Sequence, residues 1–248
     1  MLRWWCILLT LIILSGGCST PQPRPPQQIA RAEPSRPSWV ERLQLPETKA
    51  RRATILSARV SDAFKEYNAA RLALLDEVLR EIKTGKLNRD QLEPLAERAI
   101  LEFEQALPVL LNQLNELHAL LSPEERQRMI EMFGGKQEKN DTERHAERQQ
   151  RFARVLDLTS AQKARLYPTW LRLWLSNFGL LNGMMRDFKD ARVQFASDTF
   201  DARTLPLVNN LRPKDVLELS YETLTLTLPV LSSAQHQTLA AYLDARLR

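Results

Sequence analysis

The sequence predicts an all-α protein, and three observations carry that prediction. Glycine is scarce: seven occur in 248 residues, and two of them sit side by side at Gly134-Gly135. Apolar residues return at helical spacing, so that Val60, Phe64, Tyr67, Leu74, Leu75, Val78, Leu79 and Ile82 fall along one stretch. Period-two alternation is confined to TLTLTL at 223–228, inside a longer Leu-rich pattern that still reads as helix.

At the N-terminus, residues 1–17 have the parts of a secretory signal. Arg3 supplies the positive charge, and Cys6–Leu14 (CILLTLIIL) is an apolar run short of the ~20 residues a membrane-spanning helix needs. Ser15-Gly16-Gly17-Cys18 follows. It resembles a lipobox, which implies cleavage before Cys18 and lipidation of that cysteine. A leucine is usual three places before the cysteine, where this chain has Ser15. Ordinary signal cleavage near Gly17 and a short uncleaved anchor are the other readings. Ser19, rather than Asp, follows the cysteine, and in lipoproteins this leans toward the outer membrane. The expected location is therefore the cell envelope, lipid-anchored and facing the periplasm. Cys6 and Cys18 are the two cysteines, so the mature chain has no thiol for a disulfide, a thiolate metal site or a nucleophile.

Residues 18–38 begin with the lipidated cysteine and continue as STPQPRPPQQIARAEPSRPS, too poor in apolar groups to fold alone. As an extended Pro-rich tether of roughly twenty residues, this segment reaches about 60 Å at ~3.1 Å per residue. The folded part then divides into a first helical unit at 39–134, a polar linker at 135–147 and a second helical unit at 148–248. The formal net charge of +5 is mild, and basic residues alternate with acidic ones, as in RRATILSARVSDAFKEY. No aromatic-basic pattern of the nucleic-acid type is present, so no nucleic-acid partner is expected.

The division into units rests on an internal repeat. Leu43–Lys49 matches Leu156–Gln162 at an offset of 113, and LSPEERQRM from Leu121 matches LSSAQHQTL from Leu231 at an offset of 110. Between them, Leu87–Leu92 falls opposite Phe200–Leu205. Each unit is expected to be a long helix, a short break, a second long helix and a short final helix, that is, a helical hairpin with an appended helix.

Three places share one start signal: Leu158-Thr159-x-x-Gln162, Leu231-Ser232-x-x-Gln235 and Leu121-Ser122-x-x-Glu125. Each is a capping box, in which the Ser or Thr hydroxyl accepts from the N–H three residues on. The Gln or Glu there reaches back to the cap N–H. Pro123 at the first helical position strengthens the third case. These residues start helices and are expected to be structural.

Their placement resembles that of the LTxxQ-motif family, the Spy/CpxP group of periplasmic proteins, in which one motif opens the first long helix and a second opens the last. Leu158-Thr159-Ser160-Ala161-Gln162 matches the first motif, and Leu231-Ser232-Ser233-Ala234-Gln235 matches the second with Ser for Thr. In the first unit, Leu121–Glu125 has Glu for Gln, and Leu45-Pro46-Glu47-Thr48-Lys49 keeps the leucine and the position alone. The resemblance covers about residues 40–248. It implies cradle-shaped dimers of bent helical hairpins whose concave face binds unfolding clients without ATP. Two such units in one chain imply a cradle-like covalent pseudo-dimer, so the chain would act as a monomer of that kind or as a dimer. Unfolded or envelope proteins are the implied partners.

A client surface needs adaptable apolar groups with charges around them. TWLRLWLSNFGLLNGMMRDFKDAR fits, offering Trp170, Trp174, Phe178, Met184, Met185 and Phe188 with Arg172, Arg186 and Lys189 nearby. Core packing, or packing of one unit on the other, is the competing reading of those six. His118, His145 and His236 lack metal-site spacing, so no metal is expected. The chain has no Gly-x-Ser-x-Gly, no phosphate-binding Gly-rich loop and no His-Glu-x-x-His, so no catalytic residue and no cofactor is expected. The sequence thus points to a tethered chaperone or envelope-stress protein. The alternative is a regulatory lipoprotein that docks on a sensor or an envelope complex.

Overall fold

The computed structural model describes residues 36–134 and 150–248. The signal segment, Cys18, the tether up to residue 35, the linker and His145 lie outside the described residues. Among the described residues the fold is all-α, with no strand. In chain order the helices are α1 (Ser38–Leu43), α2 (Glu47–Ala63), α3 (Lys65–Thr84), α4 (Arg89–Leu120) and α5 (Pro123–Gly134). After a helical stretch at 150–155 come α6 (Ser160–Ser176), α7 (Phe178–Ala196), α8 (Pro206–Asn209), α9 (Pro213–Thr227) and α10 (Ser233–Leu247). Short 3₁₀ turns occupy Ala202–Thr204 and Leu228–Val230.

The helix boundaries repeat at the offset of 113. Adding 113 to α2 (47–63) gives α6 (160–176), and adding it to the start of α3 (65) gives the start of α7 (178). Each pair joins at one residue with similar backbone angles: Phe64 at φ −89, ψ 5 and Asn177 at φ −105, ψ 11. Among the described residues, the two left-handed non-glycine residues, Gln44 and Asp157, are also 113 apart. Both precede a long helix and turn the chain into it. Asn88 and Asp201 share the offset too, and each side-chain oxygen accepts from the backbone N–H two residues on.

The second long helix behaves differently in the two stretches. In the first it runs unbroken as α4, with Pro94 and Pro108 tolerated inside it. The expected counterpart in the second is broken into a 3₁₀ turn, α8, α9 and another 3₁₀ turn. The reason is proline: Pro206, Pro213 and Pro229 each sit in the first positions of a new segment, where the missing N–H costs nothing. The TLTLTL run closes α9 and is helical through Thr227.

Packing is reciprocal. The last helix of the second stretch, α10, lies on α3, and the last helix of the first, α5, lies on α7. Two cores result, built from matching residues. One contains Val40, Leu43, Ala53, Leu121 and Met129, with Phe195 packed against it. The other places Ala153, Leu156, Leu166, Leu231, Leu239 and Ile82 at the corresponding positions. A third cluster joins α2, α3 and α4 through the edge-packed rings of Phe64, Tyr67 and Phe103, with centroids 5.5–5.9 Å apart. At the end of α3, Gly85 has φ +76, and a Cβ there would sit 2.4 Å from the His236 ring of α10. Glycine is therefore required both by the left-handed cap and by the approach of the second stretch.

Candidate binding surface and apolar cleft

The capping boxes form as the sequence predicts, and they also do more. Thr159 Oγ1 accepts from Gln162 N at 3.2 Å, and Gln162 Oε1 accepts from Thr159 N at 3.0 Å. Ser232 and Gln235 repeat this at 3.3 and 2.8 Å. The two glutamine amides then bond each other, Nε2 to Oε1, at 2.7 and 3.0 Å. Gln162 Nε2 further donates to Val230 O at 2.8 Å, and Gln235 Nε2 to Leu156 O at 3.0 Å. Each glutamine thus holds the backbone that leads into the other's helix. The pair is a clasp between the starts of α6 and α10.

The first stretch has an ionic clasp in the same place. Glu125 Oε2 accepts from Ser122 N at 2.7 Å, Ser122 Oγ accepts from Glu125 N at 3.3 Å, and Lys49 Nζ donates to Glu125 Oε2 at 2.6 Å. Lys49 is 113 before Gln162, and Glu125 is 110 before Gln235. The apparent loss of the motif at Leu45–Lys49 is therefore an exchange of an amide pair for an ion pair. Burial pushes the Glu125 carboxyl up, but the Lys49 and Ser122 hydrogen bonds and the nearby positive charges hold it below its usual range.

The six surface candidates separate. Trp170 and Met184 are core residues, 4% and 6% exposed, which corrects their reading as client contacts. Trp170 also places its indole N–H on Thr227 Oγ1 at 3.0 Å, filling the junction of α6 with α9. Trp174, Met185 and Phe188 are half-buried, and Phe178 is exposed. Trp174 and Phe178 meet edge to face across the α6–α7 kink at 4.9 Å.

Two residues that the sequence reading passed over are more exposed than any of the six. Leu171 is 49% and Leu175 58% exposed, and with Phe178 at 43% they form an i, i+4, i+7 stripe on α6 and the start of α7. The aromatic residues mark the adjacent face, although the stripe's helical spacing is present in the sequence. The other large exposed apolar residues among those described are scattered singly, Leu101 on α4, Val193 near the far end of α7 and Leu226 on α9.

A second feature was not foreseen from the sequence. An open cleft of about 280 Å³ runs between α3, α4 and α9, walled by Leu74, Val78, Leu92, Ile100, Leu217 and Leu224. Its walls come from segments far apart in sequence, so no local pattern announces it. The matching groove on the other side is closed. There Ala202, Leu205 and Val208 fill the space against Leu111 and Ala191. The proline breaks described above let this stretch fold inward.

Among the described residues, no group of three His, Cys, Asp or Glu side chains could hold a metal ion, and no helix is long and apolar enough to cross a membrane. His118 stacks on Phe200 at 4.9 Å and its Nε2 contacts Ser197 O at 2.8 Å, while His236 Nε2 contacts Leu228 O at 2.9 Å. Both rings serve packing between the stretches. No family model, curated protein or solved structure matches the chain.

Proposed function

We propose that the chain is a lipid-tethered, ATP-independent binding protein of the cell envelope that holds apolar segments of unfolded or envelope proteins on the Leu171–Leu175–Phe178 stripe. One observation carries the reading. At the corresponding positions of α2 and α3, 113 residues earlier, stand Ala58, Asp62 and Lys65. The same kinked helix therefore folds with small or charged groups there, and the large apolar groups of the second stretch exceed what the scaffold needs. Exposed apolar patches of this kind mark interaction surfaces.

The resemblance to Spy/CpxP proteins supports the same reading, and it rests on the motifs and the helix order. Reciprocal packing of α10 on α3 and of α5 on α7 supports a covalent pseudo-dimer, with each unit's last helix lying on the other's kinked helix. The lipid anchor rests on the residues around Cys18, and mass spectrometry of the mature N-terminus tests it.

For the binding function, the test is aggregation of a chemically unfolded, unrelated protein followed by light scattering with the full chain added at stoichiometric ratio. Suppression that is lost in Leu175→Asp supports the proposal. If scattering is unchanged by the full chain, general client binding is wrong. A photo-crosslinker at position 175 in intact cells would then ask for one dedicated sensor or envelope partner.

A further inference from the structure

The cleft between α3, α4 and α9 carries a second, independent inference. Its middle is hydrocarbon, and the polar groups there are few. The Ser220 hydroxyl already donates to Val216 O at 2.8 Å within its own helix. Apart from the Tyr67 and Tyr221 hydroxyls, the middle offers almost nothing to a peptide, whose every residue brings an N–H and a C=O that need partners. A hydrocarbon chain makes no such demand. The volume, about 280 Å³, lies at the small end of ordinary ligand pockets at ~300–1,000 Å³. It suits one acyl chain better than two.

The charges on the lining say which end group such a chain would carry. Arg89 is already paired with Glu218 and lies near Glu93, and Arg212 lies near Asp215. Glu97 is exposed on the rim. Two cations remain without a carboxylate among the described residues, Arg71 within the cleft and Lys214 at its edge. Arg71 is half-buried. It donates through Nη1 to Leu247 O at 2.7 Å, and its enclosed Nε has no hydrogen-bond partner. Burial disfavours its charge, the Tyr67 hydroxyl in part opposes this, and the nearby Arg248 adds to the penalty. A bound anion would offset both penalties. The residue 113 places on from Arg71 is Met184, which lines the same cleft and adds to its apolar wall, so the repeat places one cation and not two there.

We propose that this cleft binds a single-chain anionic amphiphile of the fatty-acid class, with its hydrocarbon between α3, α4 and α9 and its carboxylate on Arg71. Lys214 is the second cation that the headgroup meets as it enters. The site is separate from the Leu171–Phe178 stripe, so either proposal can fail without the other.

The test uses a fatty acid carrying a diazirine and an alkyne, added to membranes that contain the full chain, with the corresponding uncharged alcohol as the comparison. Adducts are expected on Tyr67, Leu74, Tyr221 and Leu224. Arg71→Gln is expected to reduce labelling by the acid roughly tenfold, as loss of a charge-assisted hydrogen bond implies. Labelling by the alcohol should not change. Leu217→Trp, which fills the cleft and keeps Arg71, should abolish labelling by both probes. Circular dichroism of each variant checks folding. If Arg71→Gln is unfolded, the Leu217→Trp result and the acid-to-alcohol ratio of the unaltered chain decide. Adducts scattered over the surface, or equal labelling by acid and alcohol in the unaltered chain, would overturn the proposal.

Discussion

The kinked helix α2–α3 and the kinked helix α6–α7 have matching starts and the same join, yet they show solvent different faces. Ala58, Asp62 and Lys65 on the first correspond to Leu171, Leu175 and Phe178 on the second. Some interior residues match in kind, Ala53 with Leu166 and Ile82 with Phe195, while the buried Trp170 and Met184 correspond to the half-buried Ser57 and Arg71. A difference inside the molecule, as at Trp170, therefore serves packing, and the difference on its surface, along the stripe, is free to serve a partner. The two clasps teach the same lesson in reverse. Gln162–Gln235 and Lys49–Glu125 differ in chemistry but hold equivalent helix starts, so that difference is structural compensation.

The largest expected effect breaks this comparison inside the core. Trp170→Ala removes a buried indole and its bond to Thr227, and should cost about 4 kcal/mol in urea unfolding. Ser57→Ala at the matching half-buried position should cost less than about 0.5 kcal/mol. Gly85→Ala comes next. It forces a side chain into a left-handed conformation and against His236, and a loss of about 3 kcal/mol is expected from thermal unfolding. Its counterpart Asp198 is largely exposed and pairs with Arg126 at 2.7 Å, so Asp198→Ala should cost about 1 kcal/mol.

The clasps give smaller and more selective effects. Gln235→Ala removes one side of a cap and the bonds that join α10 to α6, for about 2 kcal/mol. Glu125→Gln should cost less at neutral pH and should change the acid dependence. Folding depresses the Glu125 pKa, so its contribution is whole above the unfolded-state value of about 4.3 and is lost as the pH falls through the depressed folded value. The amide clasp has no such dependence. Smallest among the clasp variants, the double substitution Lys49→Gln with Glu125→Gln copies the amide pair into the ionic site. It should leave stability at pH 7 within about 1 kcal/mol and remove Glu125's part of the loss below about pH 4.3, as urea titrations at several pH values would show.

The all-α class and the helix starts were legible because they depend on local signals: apolar spacing at 3.6 residues, capping boxes and prolines. The kink was not legible in the sequence, since neither Phe64 nor Asn177 is a usual breaker. The unbroken second helix expected after residue 200 was wrong because Pro206 and Pro213 start new segments and end old ones. Trp170 and Met184 were misread because aromatic and sulfur-containing residues suit a core as well as a surface, and the facing helices that decide between them come from distant segments. Leu171 and Leu175 were missed for the opposite reason, since isolated leucines are common on helices. The clasp between the two motifs, like the cleft, depends on tertiary contacts that no local window contains.

The most direct test of the stripe writes the first copy's residues into the second: Leu171→Ala, Leu175→Asp and Phe178→Lys together in the full chain. Suppression of client aggregation and the thermal midpoint are then measured on the same preparation. The account predicts that suppression is lost while the midpoint stays within a few degrees of the unaltered chain. Retained suppression, or collapse of the fold, would contradict it by showing that those three side chains are either irrelevant to clients or needed by the scaffold.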